Sequence, residues 1–348
     1  MLTDDRNPTT RRQALRPGPD RPGFSAARLV ALARERIEDT GLDLRGRTVL
    51  TEAATGVYVA TPLLAALAGA RRVFAFARDS GHGAAVEAIG WLREVAEIAG
   101  VADSIAVVDR LPEAALGYVD VVTNTGHLRP IDARIIDALP PHAVIALMFE
   151  AWERREADID FAACARRNIR VVGVNERHAA VDVFSYLGPL AVRLLHDAGV
   201  SVYRSRIALV CDNAFDEPIL SGLIGQGAQV TQARTLRELP PQPYEAVLVA
   251  LKPAERELRL EAEDARRLAA HAPGTIVAQF WGDLDRTALA ECGLAVWPPS
   301  PPTYGHMAIL LSAIGPEAVM RLQAGGLKAA ELALRPDQPD PGALAQFM

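Results

Sequence analysis

The sequence predicts an α/β protein made of two doubly wound parallel sheets. Three observations predict it. Short continuous runs of Val, Ile, Ala and Leu alternate with amphipathic stretches, as buried parallel strands alternate with the helices that cover them. The alternation breaks once, at a long helical stretch over 181–198, and then resumes. A length of 348 residues is about twice that of a typical single domain.

The first series opens with a helix over 25–39. A strand over 48–54 (TVLTEAA) leads to a helix over 62–68, and RVFAFAR (72–78) leads to a long helix over 84–99. Strands over 104–109 and 119–125 follow, then a helix over 131–138 and the strand AVIALMFE (143–150). A short helix over 161–167 precedes IRVVGVN (169–175). The helix over 181–198 carries Val183, Leu187, Leu190, Ala191 and Leu194 at helical spacing, and Gly199 closes it. Strands over 206–211, 229–233, 245–251, 275–280 and 294–297 form the second series, with helices over 217–227, 255–271 and 284–291. A last helical region over 307–334 could pack back on the first domain, and the tail over 335–343 reads as irregular. The organisation is therefore a disordered or draped arm (1–24), a Rossmann-like domain (25–180), an interdomain helix (181–199), a second Rossmann-like domain (200–306) and a C-terminal helical region with its tail (307–348), with a cleft expected between the two domains.

Composition excludes several function classes. The net charge of −6 gives no electrostatic reason to expect a nucleic-acid partner. No run of eighteen apolar residues occurs, so no membrane span is expected, and the polar first 22 residues, with four prolines, do not read as a secretory signal. The three cysteines, Cys164, Cys211 and Cys292, form no Cys-x-x-Cys pair and read as small core residues in a reducing, cytoplasmic setting. No helical His pair suggests a metal, and no Gly-x-Ser-x-Gly elbow suggests serine hydrolysis. The expected partner is a small-molecule substrate; a homodimer is an open assembly.

Ligands of doubly wound folds sit outside the carboxyl ends of the strands, near the switch point in strand order. Four of the seven histidines (His82, His127, His178 and His306) fall in such loops, beside polar residues. Asn124, Thr125, His127 and Arg129 after one strand concentrate donors in one place. Glu150, Trp152, Asn175, Arg177 and Tyr304 complete the substrate-side set. His178 beside Glu176, or His306, could give or take a proton near neutral pH. Arg129 or Arg177 could orient an anion. The structural alternatives are plain ones: Glu176 and Arg177 as helix caps, His306 as a helix-start residue, Arg78 and Asp79 as a surface ion pair.

The stretch Cys211-Asp212-Asn213-Ala214-Phe215-Asp216-Glu217 joins a strand to a helix without a glycine and with three acids. A helix start attracts anions through its free N–H groups. Here the acids can occupy those groups themselves, so the turn is expected to cap itself through Asp212, Asn213 or Asp216 and to be a poor phosphate site. A nucleotide fits better in the first domain, at Glu52, Thr55, Gly56 and Tyr58 after the first strand and Arg78, Asp79 and Ser80 after the second.

Residues 144–175, the helix over 181–198 and residues 205–230 resemble the D-isomer-specific 2-hydroxyacid dehydrogenases, which include formate and glycerate dehydrogenases. Asp158-Ile159-Asp160, Arg167-Asn168-Ile169 and Val171-Val172 carry the resemblance. It implies oxidoreductase chemistry on a carboxylate- or phosphate-bearing metabolite with NAD or NADP. Three places depart from the family pattern. The cofactor turn is C-D-N-A-F-D rather than G-x-G-x-x-G. The strand expected to lead into T-A-R-G ends Gln279-Phe280-Trp281-Gly282. His306 is the one candidate for the late histidine. Residues 51–79 and 92–109 are also similar to class I methyltransferases, with Glu52, Gly56 and Asp79 in the places of S-adenosylmethionine ligands. A non-catalytic binding protein on the same scaffold is the third reading.

Overall fold

A computed structural model describes residues 21–81, 83–111, 113–254, 257–335, 340 and 342–348; His82 and most of the N-terminal arm lie outside these. In chain order the elements are α1 (Ala26–Thr40), β1 (Thr48–Glu52), α2 (Ala60–Leu67), β2 (Arg72–Phe76), α3 (Ala85–Ala99), β3 (Ile105–Val108), α4 (Glu113–Leu116), β4 (Val121–Thr123), α5 (Ala133–Ala138), β5 (Val144–Ala146), α6 (Phe161–Arg167) and β6 (Arg170–Val174). They continue with α7 (Leu187–Asp197), β7 (Arg206–Val210), α8 (Asp216–Gly225), β8 (Gln229–Ala233), β9 (Ala246–Ala250), α9 (Ala262–His271), β10 (Ile276–Trp281), α10 (Arg286–Glu291), β11 (Ala295–Trp297), α11 (Glu317–Leu334) and β12 (Ala345–Phe347). The chain divides into a first unit, up to Asp182 and again from Gly315 to Met348, and a second from Val183 to Ile314.

The first unit holds a sheet in the order β12-β6-β5-β4-β1-β2-β3, parallel throughout except for β12, which runs antiparallel to β6. Its strand order reverses at β1, between β2 and β4, so the switch point lies at the carboxyl ends of β1 and β4. All five residues of β1 are buried, as expected of a strand covered on both faces, which is why it reads as one continuous run. Leu50, Val122 and Ile145 of the strands pack with Ile135 and Ile136 of α5 and Ala163 of α6. Asp132 and Asp160 start those helices by accepting the N–H of Ile135 (3.1 Å) and Ala163 (2.8 Å). Helix α11 returns from the far end of the sequence into this unit and buries most of its length. Its charged residues survive burial because they are paired: Lys328 Nζ lies 2.9 Å from Glu331, whose carboxylate also accepts the N–H of Asp43 at 2.8 Å.

The second unit holds a parallel sheet in the order β11-β10-β9-β7-β8, whose switch point lies between β7 and β9. One face buries Leu209, Leu248 and Phe280 with Leu190 and Leu194 of α7 and Ile219 and Leu223 of α8. The other buries Val210, Val247 and Val277 with Leu268 of α9 and Leu289 of α10.

Several expected bounds need correction; the helix expected over 255–271 begins at Ala262, and in the helical region expected over 307–334 the α-helix begins at Glu317. The strand expected over 143–150 stops at Ala146, because Met148 adopts a left-handed backbone (φ 65°) that leaves the pleat. The helix expected over 181–198 begins at Leu187, because Asp182 is also left-handed (φ 45°) and a 3-10 turn, Phe184–Tyr186, intervenes. Beyond the tail expected to be irregular over 335–343, Ala345–Phe347 forms an edge strand that was not anticipated.

Helices α7 and α8 cross at two glycines. A Cβ on Gly222 would fall 2.5 Å from the Cα of Gly188, whereas one on Gly225 would meet nothing within 4 Å. Gly222→Val is therefore expected to destabilise the protein by ~1–3 kcal/mol through overpacking. Chemical denaturation reads the loss, and Gly225→Val is the control expected to be much milder.

Candidate functional site

The polar residues around the β1/β4 switch point form one connected set. Glu52, the last residue of β1 and 9% exposed, accepts the backbone N–H of His127 at 2.8 Å. Thr123 Oγ1 lies 2.8 Å from Thr51 Oγ1 and 3.2 Å from Thr125 Oγ1, tying the two strand ends together. Arg129 folds back on the loop: its Nε donates to Asn124 Oδ1 and its Nη2 to the Asn124 carbonyl, both at 2.8 Å. Asp158 faces Arg129 Nε at 3.3 Å, and the guanidinium lies 5.9 Å from the centre of the Phe149 ring. Burial pulls the Arg129 pKa down and Asp158 opposes the shift, so the side chain stays a cation at neutral pH.

Two nitrogens of this loop are buried without a partner among the described residues: Asn124 Nδ2, on a side chain 1% exposed, and His127 Nδ1. An amide flip does not relieve Asn124, because its Oδ1 already serves Arg129. Buried polar groups without partners are rare in folded proteins and point to strain, function or a bound molecule.

The cofactor residues expected here are largely engaged with the protein itself. Arg78 donates to the carbonyls of Gly126 (3.2 Å) and Arg129 (3.5 Å). Asp79 accepts the N–H of Ala85 at 2.8 Å, at the start of α3. Ser80 pairs with Gly83, and Gly83 packs against Thr55 closely enough that a Cβ would fall 3.1 Å from the threonine methyl. Gly56 takes the left-handed backbone (φ 62°) its turn needs, and its carbonyl accepts from Trp91 Nε1 at 2.8 Å. Tyr58 lies in the 3-10 turn Gly56–Val59. Glu52 and Asp79 each serve a backbone N–H, and the expectation of S-adenosylmethionine finds no support.

A second group gathers at the ends of β5 and β6. Glu150 is buried and accepts from Trp152 Nε1. Burial first, then the charges of Glu153 and Glu150, push the Glu176 carboxyl well above its ordinary 4.5. Asn175 is held by the C-terminal segment: its N–H donates to the Leu344 carbonyl (2.8 Å) and its Nδ2 to that of Ala343 (3.2 Å). Its Oδ1 accepts the N–H of Arg177, an exposed residue. His178 Nδ1 accepts the N–H of Ala180 at 3.2 Å, and a Cβ on Gly342 would fall 2.8 Å from its Nε2. Gln346 of β12 accepts the N–H of Ala151 at 2.7 Å. His127, Arg129, Glu150, Asn175 and His178 thus all follow the carboxyl ends of parallel strands of one sheet, β4, β5 and β6. Phe149, Asp158 and the C-terminal strand were not anticipated.

In the second unit the turn after β7 caps itself, as its acids suggested. Asn213 Oδ1 accepts the N–H of Phe215 (3.1 Å), and Asp216 Oδ1 that of Glu217 (2.7 Å). His306 and Tyr304 occupy a separate loop, where His306 Nδ1 lies 3.0 Å from the Tyr304 carbonyl and Trp281 Nε1 donates to that of Gly305 at 3.0 Å. Burial pushes Cys164 and Cys211 each up to about 11, which leaves them inert thiols. Among the described residues, no group of three or more His, Cys, Asp or Glu is placed to hold a metal, and no helix is long and apolar enough to cross a membrane.

The chain is an α/β protein of two doubly wound units, and solved structures share this fold. The chain matches a dipicolinate synthase component of Bacillus halodurans at 11% identity and a TM-score of 0.54, covering 81% of this chain and 96% of that one. It matches a dipicolinate synthase of Bacillus subtilis at 11% identity and a TM-score of 0.56, covering 86% and 100%. An NAD-dependent formate dehydrogenase of Staphylococcus aureus, in complex with NAD, aligns at 12% identity and a TM-score of 0.49, covering 84% and 96%. At these identities the likeness is one of fold. No protein-family model and no curated protein matches.

Glu176 yields a signed expectation. In the unfolded chain it ionises near 4.5; in the folded chain it keeps its proton to higher pH. The contribution of Glu176 to stability is therefore fully present below 4.5 and is lost as pH rises from there through the raised value. Glu176→Gln is expected to match the wild type at about pH 4 and to exceed it in denaturant midpoint at about pH 8. Equal midpoints at the higher pH would show an unstrained carboxyl.

Proposed function

We propose that the chain is an oxidoreductase-like enzyme that binds a small carboxylate- or phosphate-bearing metabolite at the β1/β4 switch point of its first unit. One observation carries this reading. Two buried nitrogens, Asn124 Nδ2 and His127 Nδ1, lack partners within a loop that also presents the Arg129 cation. Leaving each buried group unsatisfied costs about 1–3 kcal/mol. Oxygens of an anionic ligand would relieve that cost and pair with the guanidinium. The likeness to two enzymes named for dipicolinate, itself a dicarboxylate, supports the substrate class and the enzyme reading.

The residues take distinct roles. Arg129 orients the anion through Nη1, which has no hydrogen bond among the described residues. Asn124 Nδ2 donates to a second ligand oxygen. His127 holds or receives a proton at Nδ1, and Glu52 fixes the loop that carries it. The fold implies a nicotinamide dinucleotide, which would supply hydride chemistry when bound. The residues of the turn 211–217 do not fit its pyrophosphate, because their own side chains take up the N–H groups. That observation also favours a second reading, a metabolite-binding protein without turnover.

Calorimetric titration with small 2-oxo and 2-hydroxy acids and with phosphomonoesters tests the proposal. Arg129→Gln is expected to weaken binding by about 10–100-fold, the share of a charge-assisted contact. With a turned-over ligand in hand, His127→Gln is expected to retain binding and lose about 10²–10⁴-fold in rate. Unaltered affinity in Arg129→Gln would move the site elsewhere, and tight binding without turnover would select the second reading.

A further inference from the structure

The second unit has the topology of a dinucleotide-binding domain, with its first strand–turn–helix at β7, residues 211–215 and α8. Such a turn holds pyrophosphate by three means: free N–H groups at the helix start, glycines that let the backbone approach, and a local positive potential. Each has been replaced by something belonging to the chain.

The N–H groups are committed. Phe215 N–H donates to Asn213 Oδ1 (3.1 Å), Asp216 N–H to the Asn213 carbonyl (3.3 Å) and Glu217 N–H to Asp216 Oδ1 (2.7 Å). The next position of the first turn is Pro218, which has no N–H to offer. Close approach is blocked as well. Cys211, Asn213 and Asp216 stand at the three glycine places of the pattern, and the neighbouring Phe215 fills the turn, stacked on Trp281 at 4.7 Å and 19° and edge-on to Phe184 and Phe280.

The positive potential is spent on an internal anion. Asp212 lies two residues beyond the end of β7, at the switch point. Its Oδ1 accepts the backbone N–H of Lys252, just beyond β9, at 2.8 Å and the Asn213 amide at 3.0 Å. Its Oδ2 accepts from Arg259 Nη2 at 2.6 Å. Asn213 Nδ2 also reaches the Ala250 carbonyl at 2.7 Å, so the ends of β7 and β9 are laced together across the crevice. Burial alone would raise the Asp212 pKa, but the bonds from Lys252, Asn213 and Arg259 outweigh it and hold the carboxylate ionised below its ordinary range.

We propose that the second unit takes no dinucleotide at its switch point, and that the Asp212 carboxylate, clamped by the Lys252 N–H and Arg259, fills the role that a ligand phosphate has on such a turn. A pyrophosphate there would meet Asp212, Asp216 and Glu217 as like charges, and the N–H groups of Phe215, Asp216 and Glu217 that could offset the repulsion are already bonded within the turn. Any hydride carrier this chain uses must then bind at another place.

Hydrogen–deuterium exchange of the full-length protein, read by mass spectrometry, tests both halves without an activity assay. With NAD, NADH, NADP or NADPH at millimolar concentration, exchange over 211–219 is expected to stay unchanged, whether or not protection arises elsewhere in the chain. Slowed exchange over 211–219 with any of the four overturns the proposal. In Arg259→Gln, the clamp loses its cation and exchange over the same residues is expected to quicken by about tenfold or more, the scale of a charge-assisted bond. Unchanged exchange in that variant overturns the assignment of Asp212 as the internal anion.

Discussion

The bond from the His127 N–H to the Glu52 carboxylate joins the two strands that diverge at the first unit's switch point, and the candidate site depends on it. At that place the sheet order reverses, and the loops after β1 and β4 lead away from each other. A buried carboxylate needs donors, and a loop there needs an anchor; Glu52 and the 124–129 loop meet both needs in one contact. Arg78, beyond β2, adds bonds to the carbonyls of Gly126 and Arg129, and Arg129 closes back on Asn124. The loop is held from three directions, and Asn124 Nδ2 and His127 Nδ1 have no partner among the described residues.

The two switch points show opposite solutions to one physical problem. Strand ends bring polar backbone and side chains to the rim of a sheet, where each must find a partner in the protein, in water or in a ligand. In the second unit the chain provides the partners itself, through Asp212, Asn213 and Asp216. In the first unit it leaves two buried nitrogens unmatched beside a cation. A shared fold says nothing about which rim is used; the state of the individual polar groups does.

Local chemistry was legible in the sequence and distant pairing was not. The runs RIALV and AVLVA read as strands because both faces are buried, and α6 matched its expected bounds because Asp160 caps one end and a left-handed Asn168 ends the other. The self-capping of 211–217 was readable because donor and acceptor lie within two residues of each other. By contrast Glu52 and His127 are 75 residues apart, and nothing in either stretch announces the other. The early end of β5 was hidden because an apolar run continues through Met148 while its backbone turns left-handed. That turn packs against Gly326 of α11, where a Cβ would fall 2.7 Å from the Met148 sulfur. Edge strand β12 is three residues long, too short for any periodicity to mark it.

The central claim is that the rim between β1 and β4 of the first unit is where the ligand sits. A crystal structure of the full-length protein grown with oxalate, a minimal dicarboxylate, tests it most directly. The account expects one carboxylate within hydrogen-bonding distance of Asn124 Nδ2 and the Arg129 guanidinium, with His127 Nδ1 facing its oxygens. Oxalate seated instead against Arg259 on the turn 211–217, or these nitrogens still unpaired in crystals soaked to saturation, would contradict it.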